Sequence, residues 1–235
     1  MKLVVRRVFD FGHQRDEVGE TLLSPGAWDA VRRLPGAFHL QDTREQWLAD
    51  GSQPPYPERA KSVAALAQRV GALSLCSHGV GGGLLEQQVH QLAPELELTC
   101  TDFAPETVGG LSELFEGANV VVADLRDPSS LPRADLHLMH RLDQELSEHE
   151  WHAVFARLDA PVVFVPSEIL TLVVAAKELV RRTLRPRATG AGWFRNEAAL
   201  RALWSPWFED GPVQIGDEIG FLLSPRGSRQ PLQQS

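Results

Sequence analysis

Glycine and acidic residues recur along this chain at a spacing that could bind a nucleotide-like ligand. Residues 73–83 form a short apolar segment, a glycine-rich turn and the start of a predicted helix. Gly79 and Gly81 lack a Cβ, so the turn can adopt positive φ and a ligand can approach its backbone N–H groups. Asp102 follows about 20 residues later, the spacing expected of a carboxylate that binds ribose hydroxyls. Asp124 ends the next apolar run in the same way.

These residues need elements that bring them together, and the chain alternates between strand-like and helix-like patterns. The apolar runs at 96–103 and 119–125 read as strands, and each follows a helical pattern. Such alternation predicts an α/β doubly wound fold with a mostly parallel sheet and helices on both faces. Ligands of that fold bind beyond the carboxyl ends of the strands, where the glycine turn and both acids would converge. Taken singly, each acid could instead be a helix cap or a turn residue, and the glycine turn an ordinary connection.

The same motifs resemble those of the class I S-adenosylmethionine-dependent methyltransferases over residues 56–225. In that family a glycine-rich loop follows the first strand, and an acid ends both the second and the third strand. The resemblance continues through 134–142 as a fourth strand, 161–165 as a fifth, 192–200 as a late helix and a terminal hairpin near 213–223. It implies a Rossmann-like methyltransferase fold with a seven-stranded sheet, and S-adenosylmethionine as the cofactor.

The resemblance also assigns cofactor-binding residues. Gly79 and Gly81 would pass beneath the methionine and ribose portions of the cofactor. Asp102 would bind the ribose hydroxyls, and Asp124 would hold the adenine edge, because a carboxylate accepts hydrogen bonds from vicinal hydroxyls or an exocyclic amine. The other cofactor-binding candidates lie beside these positions or face the same cleft: Tyr56, Ser77, His78, Val80, Phe103, Leu125 and His140.

The glycine loop departs from the family pattern at two positions. Leu75 stands where the family has an acid, and Ser77 stands where the family has its first glycine. These changes keep open a degenerate methyltransferase fold that acts as a binding or scaffolding subunit without catalysis. A dinucleotide-binding site is a lesser alternative, because it would need a small residue at the position of Leu84. An aminopropyl transferase on the same scaffold is a further alternative.

Methyl transfer requires alignment of the acceptor with the methyl group and, for some acceptors, removal of a proton. His140 lies at the predicted end of the fourth strand and is the candidate base, since imidazole groups ordinarily titrate near neutral pH. Asp143 or Glu145 could orient it or bind a cationic acceptor. Alternatively, His140 only packs against the cofactor and the acids cap the next helix. His137 alternates with leucines inside the strand and is predicted to be a buried, hydrogen-bonded histidine.

Composition narrows the functional class. The 235 residues are 43% hydrophobic, enough for one sizeable core, and the net charge of -8 argues against broad nucleic-acid binding. The acceptor is expected to be an oxygen or nitrogen atom of a small molecule.

The longest apolar segment, 169–176, is too short for a bilayer, and the early charges do not resemble a signal peptide, so we expect a cytoplasmic protein. Cys76 and Cys100 are expected to be free buried thiols, and no metal-ligand spacing involves them.

Residues 1–55 are interpreted as an extension that precedes the methyltransferase-like domain. The sequence predicts a strand within 3–11, a helix that begins at Pro25 with Ser24 as its N-cap, and a second short helix at 43–49. By resemblance to small-molecule methyltransferases, this extension would form a lid over the pocket or contact a second copy in a homodimer.

Three aromatic residues of the extension are candidate walls of an acceptor pocket: Trp28, Phe38 and Trp47. Packing in the core is the alternative for each of them, and it is the commoner role of such residues. At the other end, residues 226–235 have too little apolar content to pack and are expected to form a flexible tail.

Overall fold

The structure is a computed structural model that describes residues 1–8, 24–33, 39–184 and 191–227. Phe38 and residues 228–235 therefore lie outside the described residues. The strands are β1 (Val4–Val8), β2 (Ser74–His78), β3 (Glu97–Asp102), β4 (Asn119–Val122), β5 (Leu136–His140), β6 (Val162–Val165), β7 (Ala191–Arg195), β8 (Phe208–Ile215) and β9 (Glu218–Pro225). The helices are α1 (Pro25–Arg33), α2 (Arg44–Gly51), α3 (Tyr56–Val70), α4 (Leu84–Leu92), α5 (Pro105–Leu114), α6 (Glu148–Arg157), α7 (Leu172–Leu184) and α8 (Glu197–Trp204), with a 3-10 turn at Pro128–Ser130.

Seven strands form one mixed sheet in the order β4-β3-β2-β5-β6-β9-β8. The first five strands in this order are parallel, and β9 and β8 are antiparallel to their neighbours. The predicted doubly wound fold is thus confirmed, and the terminal hairpin at 208–225 is longer than the predicted 213–223. The chain order reverses between β2 and β5, and such a switch point opens a crevice beyond the carboxyl ends of the strands.

Helices cover both faces of this sheet. Helices α3, α4 and α5 bury their apolar sides against one face, where Val63, Leu85 and Leu111 join the core. Helices α6 and α8 cover the other face, where the core is rich in aromatic rings: Trp151, Phe155, Phe164, Trp204, Phe208 and Phe221. Because strand residues alternate between the two faces, β5, β6, β8 and β9 supply apolar side chains to both cores, whereas β2 and β3 supply them to the first.

A second, two-stranded sheet connects the extension to a distant part of the chain. Strand β1 pairs antiparallel with β7, and Val4 lies opposite Arg195. This pairing corrects the prediction of a late helix at 192–200, because the part before Asn196 is a strand. The helix begins only after Asn196, whose side chain accepts a hydrogen bond from Ala199 N as an N-cap. The backbones of Leu3 and Asn196 extend the connection through a 3.0 Å hydrogen bond.

Hydropathy of the helices bears on membrane insertion. In the described part of the chain, none of the helices combines the length and the apolar character that crossing a bilayer requires.

Candidate functional site

The glycine turn between β2 and α4 has the conformation that its sequence predicted. Gly79, Gly81 and Gly83 have φ values of 60°, 56° and 65°, a region that side-chain-bearing residues rarely adopt. A Cβ on Gly79 would lie 2.5 Å from Leu142, so the loop after β5 closely approaches this turn. Val80 is partly buried against the core, and its N–H donates a 3.1 Å hydrogen bond to Thr101 O. The turn is therefore fixed against both neighbouring strands.

Asp102 ends β3 and links that strand to the glycine turn. Its Oδ2 accepts a 3.0 Å hydrogen bond from Gly81 N, and its Oδ1 accepts one of 3.0 Å from Ala104 N. Burial raises the pKa of this carboxyl, while the Ala104 N–H and the guanidinium of Arg32 act in the opposite direction. The structure thus brings together the two features that the sequence placed about 20 residues apart.

An ion pair just after β4 lies against the aromatic ring of Phe103, which follows β3. Asp124 is half-exposed and accepts a 2.9 Å hydrogen bond from Arg126 N and one of 3.1 Å from Arg126 Nε. The guanidinium of Arg126 lies 4.9 Å from the centre of the Phe103 ring. Leu125 is 8% exposed and packs in the second core, so its side chain is not placed beside a ligand at this edge.

Ser77 and His78 have internal partners, because successive strand residues point to opposite faces of the sheet. The Ser77 hydroxyl donates a 2.7 Å hydrogen bond to Glu86 Oε1 beneath the glycine turn. Burial raises the pKa of Glu86, and the hydrogen bond from Ser77 partly offsets this effect. The His78 side chain is also buried, on the other face. The expected contacts of these two side chains with a ligand are therefore replaced by contacts within the protein.

His78 and His137 form a buried chain of hydrogen bonds across three strands. The His78 Nδ1 lies 3.1 Å from Thr101 Oγ1, and its Nε2 lies 3.0 Å from His137 Nδ1. Burial lowers the pKa of His78 to about 3 and that of His137 to about 4, so both rings are neutral at pH 7. Cys76 completes a group whose ligand atoms lie within 4.8 Å of one another. A metal ion could enter this group only if the imidazoles gave up their mutual hydrogen bond.

This histidine pair is expected to make the protein sensitive to acid. Because the folded-state pKa of His137 is lowered, the unfolded chain takes up a proton first as the pH falls below about 6.5. The stability contributed by neutral His137 is present at pH 7 and is lost as the pH falls towards about 4. Relative to His137→Asn, the wild type should lose about 3 kcal/mol of unfolding free energy over this interval. Urea unfolding of both proteins at several pH values would measure this loss. The same pH dependence in the wild type and in His137→Asn would contradict the prediction.

His140 ends β5 and has a carboxylate partner that the sequence did not indicate. Its Nε2 lies 2.6 Å from Glu218 Oε2, and Arg59 Nη2 lies 3.3 Å from the other oxygen of Glu218. Burial raises the pKa of Glu218, but the hydrogen bond and charge of His140 and the nearby guanidiniums outweigh it, so the pKa is lowered. Arg141 follows with a φ of 62°, a strained conformation that often occurs at functional sites. The arrangement orients the His140 ring and leaves Nδ1 for another contact.

Asp143 does not provide this orienting contact. Its Oδ1 accepts a 2.6 Å hydrogen bond from Ser167 N, and its side chain is completely buried. Arg195 donates a hydrogen bond to the backbone O of Asp143 and one of 2.7 Å to Leu146 O. The geometry gives Asp143 a role in fixing the loop after β5.

Glu145, in the same loop, is partly buried and is coupled electrostatically to Asp102 and Arg126. Burial raises its pKa to about 7, and the charges of Asp143 and Asp102 add to this effect while that of Arg126 opposes it. A carboxyl that titrates near pH 7 can exchange a proton under ordinary conditions. Glu145 is therefore a second candidate base beside His140.

The aromatic candidates of the extension and Tyr56 differ in their surroundings. Trp47 is 2% exposed, and its Nε1 donates a 2.8 Å hydrogen bond to Gly82 O, so it supports the glycine turn from the core. That position corrects its interpretation as an acceptor wall. Trp28 is partly buried, and the guanidinium of Arg32 lies 5.5 Å from the centre of its ring. Tyr56 begins α3 and packs partly against the first core.

Four residues at or near the crevice were missed by the sequence analysis: Arg32, Glu86, Arg126 and Glu218. Glu86 could have been found, because an acid in the first turn of a helix after a glycine loop is well placed beneath that loop. The contacts of Arg32 and Glu218 join residues far apart in the sequence, and no local pattern indicates them.

Sequence comparisons and structural comparisons give different results. The sequence matches no protein-family model, and no curated protein matches it. Solved structures do share its fold. Human N-acetylserotonin methyltransferase, solved in complex with S-adenosylmethionine, has a TM-score of 0.56 at 19% identity. The similarity covers 86% of this chain but only 59% of the human one.

Two bacterial structures are similar over nearly their whole length. A TehB-like S-adenosylmethionine-dependent methyltransferase from Corynebacterium glutamicum has a TM-score of 0.51 at 17% identity, covering 86% of this chain and 100% of the other. An amino pentose methyltransferase from Micromonospora echinaspora, solved with S-adenosylmethionine, has a TM-score of 0.53 at 12% identity, covering 79% of this chain and 98% of the other. The chain therefore has the Rossmann-like fold of the class I S-adenosylmethionine-dependent methyltransferases.

Proposed function

We propose that this protein transfers a methyl group from S-adenosylmethionine to an oxygen or nitrogen atom of a small molecule. The observation that carries the proposal is the 3.0 Å hydrogen bond from Gly81 N to Asp102 Oδ2. It joins a glycine turn of positive φ, which follows β2 at the switch point of the sheet, to a buried carboxylate at the end of the neighbouring strand β3. This is where a doubly wound fold binds a nucleoside.

The residues of the crevice fit the chemical groups of this cofactor. The bare backbone at Gly79 and Gly81 permits close approach, and Asp102 can accept hydrogen bonds from ribose hydroxyls. Phe103 and Asp124 lie at the strand ends where the adenine would be recognised through its face and its amino group. When bound, the cofactor supplies an electrophilic methyl group on a sulfonium.

The acid missing at Leu75 has a counterpart in Glu86. This carboxyl is buried beneath the turn and hydrogen-bonded to Ser77, which occupies the position of the family's first glycine. A carboxylate at this place would favour a cationic group above the turn, as the methionine ammonium would be. Glu86 therefore supports a working site despite the two departures in the loop.

The chain also offers groups for proton removal from an acceptor. His140 is oriented by Glu218, and Glu145 has a pKa of about 7, so both side chains are candidates for the group that accepts the proton. We propose that residues 56–225 form the catalytic domain and that the preceding extension closes over it. The human protein is a methyltransferase of N-acetylserotonin and the Micromonospora protein one of an amino pentose, which supports a small-molecule acceptor here.

Calorimetric titration tests the proposal directly. We expect S-adenosylmethionine and S-adenosylhomocysteine to bind one site with micromolar dissociation constants, and NAD to bind much more weakly. Saturable binding would justify a screen of phenols and amines as acceptors with a radiolabelled methyl donor. Absence of binding to both sulfur compounds would contradict the proposal and favour a scaffolding subunit, whereas preferential binding of NAD would favour the dinucleotide alternative.

A further inference from the structure

The contacts of Arg32 point to a gate in the cofactor crevice: its guanidinium lies against the backbone of Gly81, where it offsets the charge of Asp102, and a bound ribose must displace it. This inference rests on the proposed function. Arg32 belongs to α1, in the extension, and Gly81 lies in the glycine turn more than forty residues later. The two sites are brought together by the fold alone.

The glycine turn provides the steric evidence. A Cβ built on Gly81 would collide with the terminal atoms of the Arg32 side chain, Cζ at 2.9 Å and Nη1 at 3.1 Å among them. The guanidinium therefore lies directly on the bare backbone of Gly81. That is the surface which positive φ and the missing Cβ leave open for a ligand. A guanidinium and a ribose cannot both occupy it.

The charges of the crevice supply the second line of evidence. Burial lowers the pKa of Arg32, and the carboxylates of Asp102 and Asp29 act against this effect. The Asp102 carboxylate is 6% exposed and accepts hydrogen bonds from two backbone N–H groups. A buried carboxylate is costly without a counter-charge or further hydrogen bonds. Arg32 stabilises Asp102 until two hydroxyl groups replace it.

Helix α1 is held in place independently of Arg32. Asp29 accepts hydrogen bonds of 3.0 Å from Thr107 N and 3.2 Å from Thr107 Oγ1, at the start of α5. Arg33, the last residue of α1, forms an exposed ion pair with Glu106 in the first turn of α5. Leu40 packs against Gly110, where a Cβ would lie 2.6 Å from its side chain. The Arg32 side chain can thus leave the crevice while α1 stays docked on α5.

The gate is tested by the binding of S-adenosylhomocysteine to the purified 235-residue chain. Stopped-flow and calorimetric measurements would compare the wild type with Arg32→Ala and with Arg33→Ala as the matched control on the same helix. We expect Arg32→Ala to bind about tenfold more tightly, with most of the gain in the association rate, because the competing contact is gone. Arg33→Ala should bind within about twofold of the wild type, since its ion pair is exposed.

Other outcomes distinguish the gate from the proposed function. Equal or weaker binding by Arg32→Ala, with normal binding by the wild type, would overturn the gate and make Arg32 an ordinary binding residue. Binding by Arg32→Ala alone would support the gate strongly. If neither the wild type nor any variant binds, the proposed function fails. The interaction between Arg32 and Asp102 is then tested by a double-mutant cycle of Arg32→Ala and Asp102→Asn, measured as free energies of unfolding in urea. Additive effects in that cycle would overturn the contact, and a clear coupling would support it.

Discussion

Replacing Asp102 by asparagine is expected to raise the dissociation constant of S-adenosylhomocysteine by about 100-fold, because charge-assisted hydrogen bonds to ribose hydroxyls are worth about 1.5–3 kcal/mol each. The same change should lower the free energy of unfolding by about 1–3 kcal/mol. The two carboxylate oxygens now accept hydrogen bonds from Gly81 N and Ala104 N. In the variant, the amide NH2 group would replace one of these oxygens and face a backbone N–H donor without an acceptor. Calorimetry and urea unfolding measure the two effects separately.

Asp124→Asn is the matched control for this experiment. Asp124 lies two residues after the end of β4, but its side chain is 39% exposed, and Arg126 is the partner described for it. Its replacement should change the free energy of unfolding little and weaken binding about tenfold at most, since one neutral hydrogen bond can replace the lost one. Unchanged binding by a folded Asp102→Asn variant would contradict the assigned position of the ribose.

Replacing His140 by asparagine is expected to lower kcat for methyl transfer by about 10²–10⁴-fold while leaving the affinity for S-adenosylhomocysteine within about twofold. The reason is that a base acts on the acceptor and contributes little to binding of the cofactor. Glu218→Gln should have a smaller effect of the same kind, because it removes the group that orients the ring through a 2.6 Å hydrogen bond. Single-turnover measurements with an acceptor identified in the screen would check both.

Glu145→Gln separates the two candidate bases. The pKa of Glu145 is about 7, so a rate that depends on its ionised form should rise as the pH passes upward through that value. If His140 is the base, Glu145→Gln retains most of the activity. Loss of the rise in Glu145→Gln, together with an active His140→Asn, would assign the proton to Glu145 instead.

The parts of the fold that the sequence predicted are those with a local signal. Alternating apolar residues indicated β3, and the strand followed by glycines indicated the turn whose φ values are indeed positive. The short helix predicted at 43–49 forms as α2, and the helix predicted to begin at Pro25 forms as α1.

The parts that the sequence could not supply depend on contacts between distant residues. Glu218 lies 78 residues after His140, on a hairpin whose strand β9 pairs with β6, and only the completed sheet brings it near the end of β5. Leu125 follows an acid at a strand end, yet burial in the second core decides its role. The strand at 191–195 contains glycine and two aromatic residues, which gave no clear period, and its pairing with β1 settles its conformation.

The pairing of β1 with β7 has a consequence for how the chain folds. Residues 4–8 are synthesised long before residues 191–195, so this strand must wait for its partner. Closing such a long loop is entropically unfavourable until the large sheet has formed and brought the two segments near each other. Until then the backbone N–H and C=O groups of β1 have no strand to pair with, and an unpaired strand is a template for association with other chains. Strand β1 is therefore exposed to association with other chains until residues 191–195 have been made and the large sheet has formed.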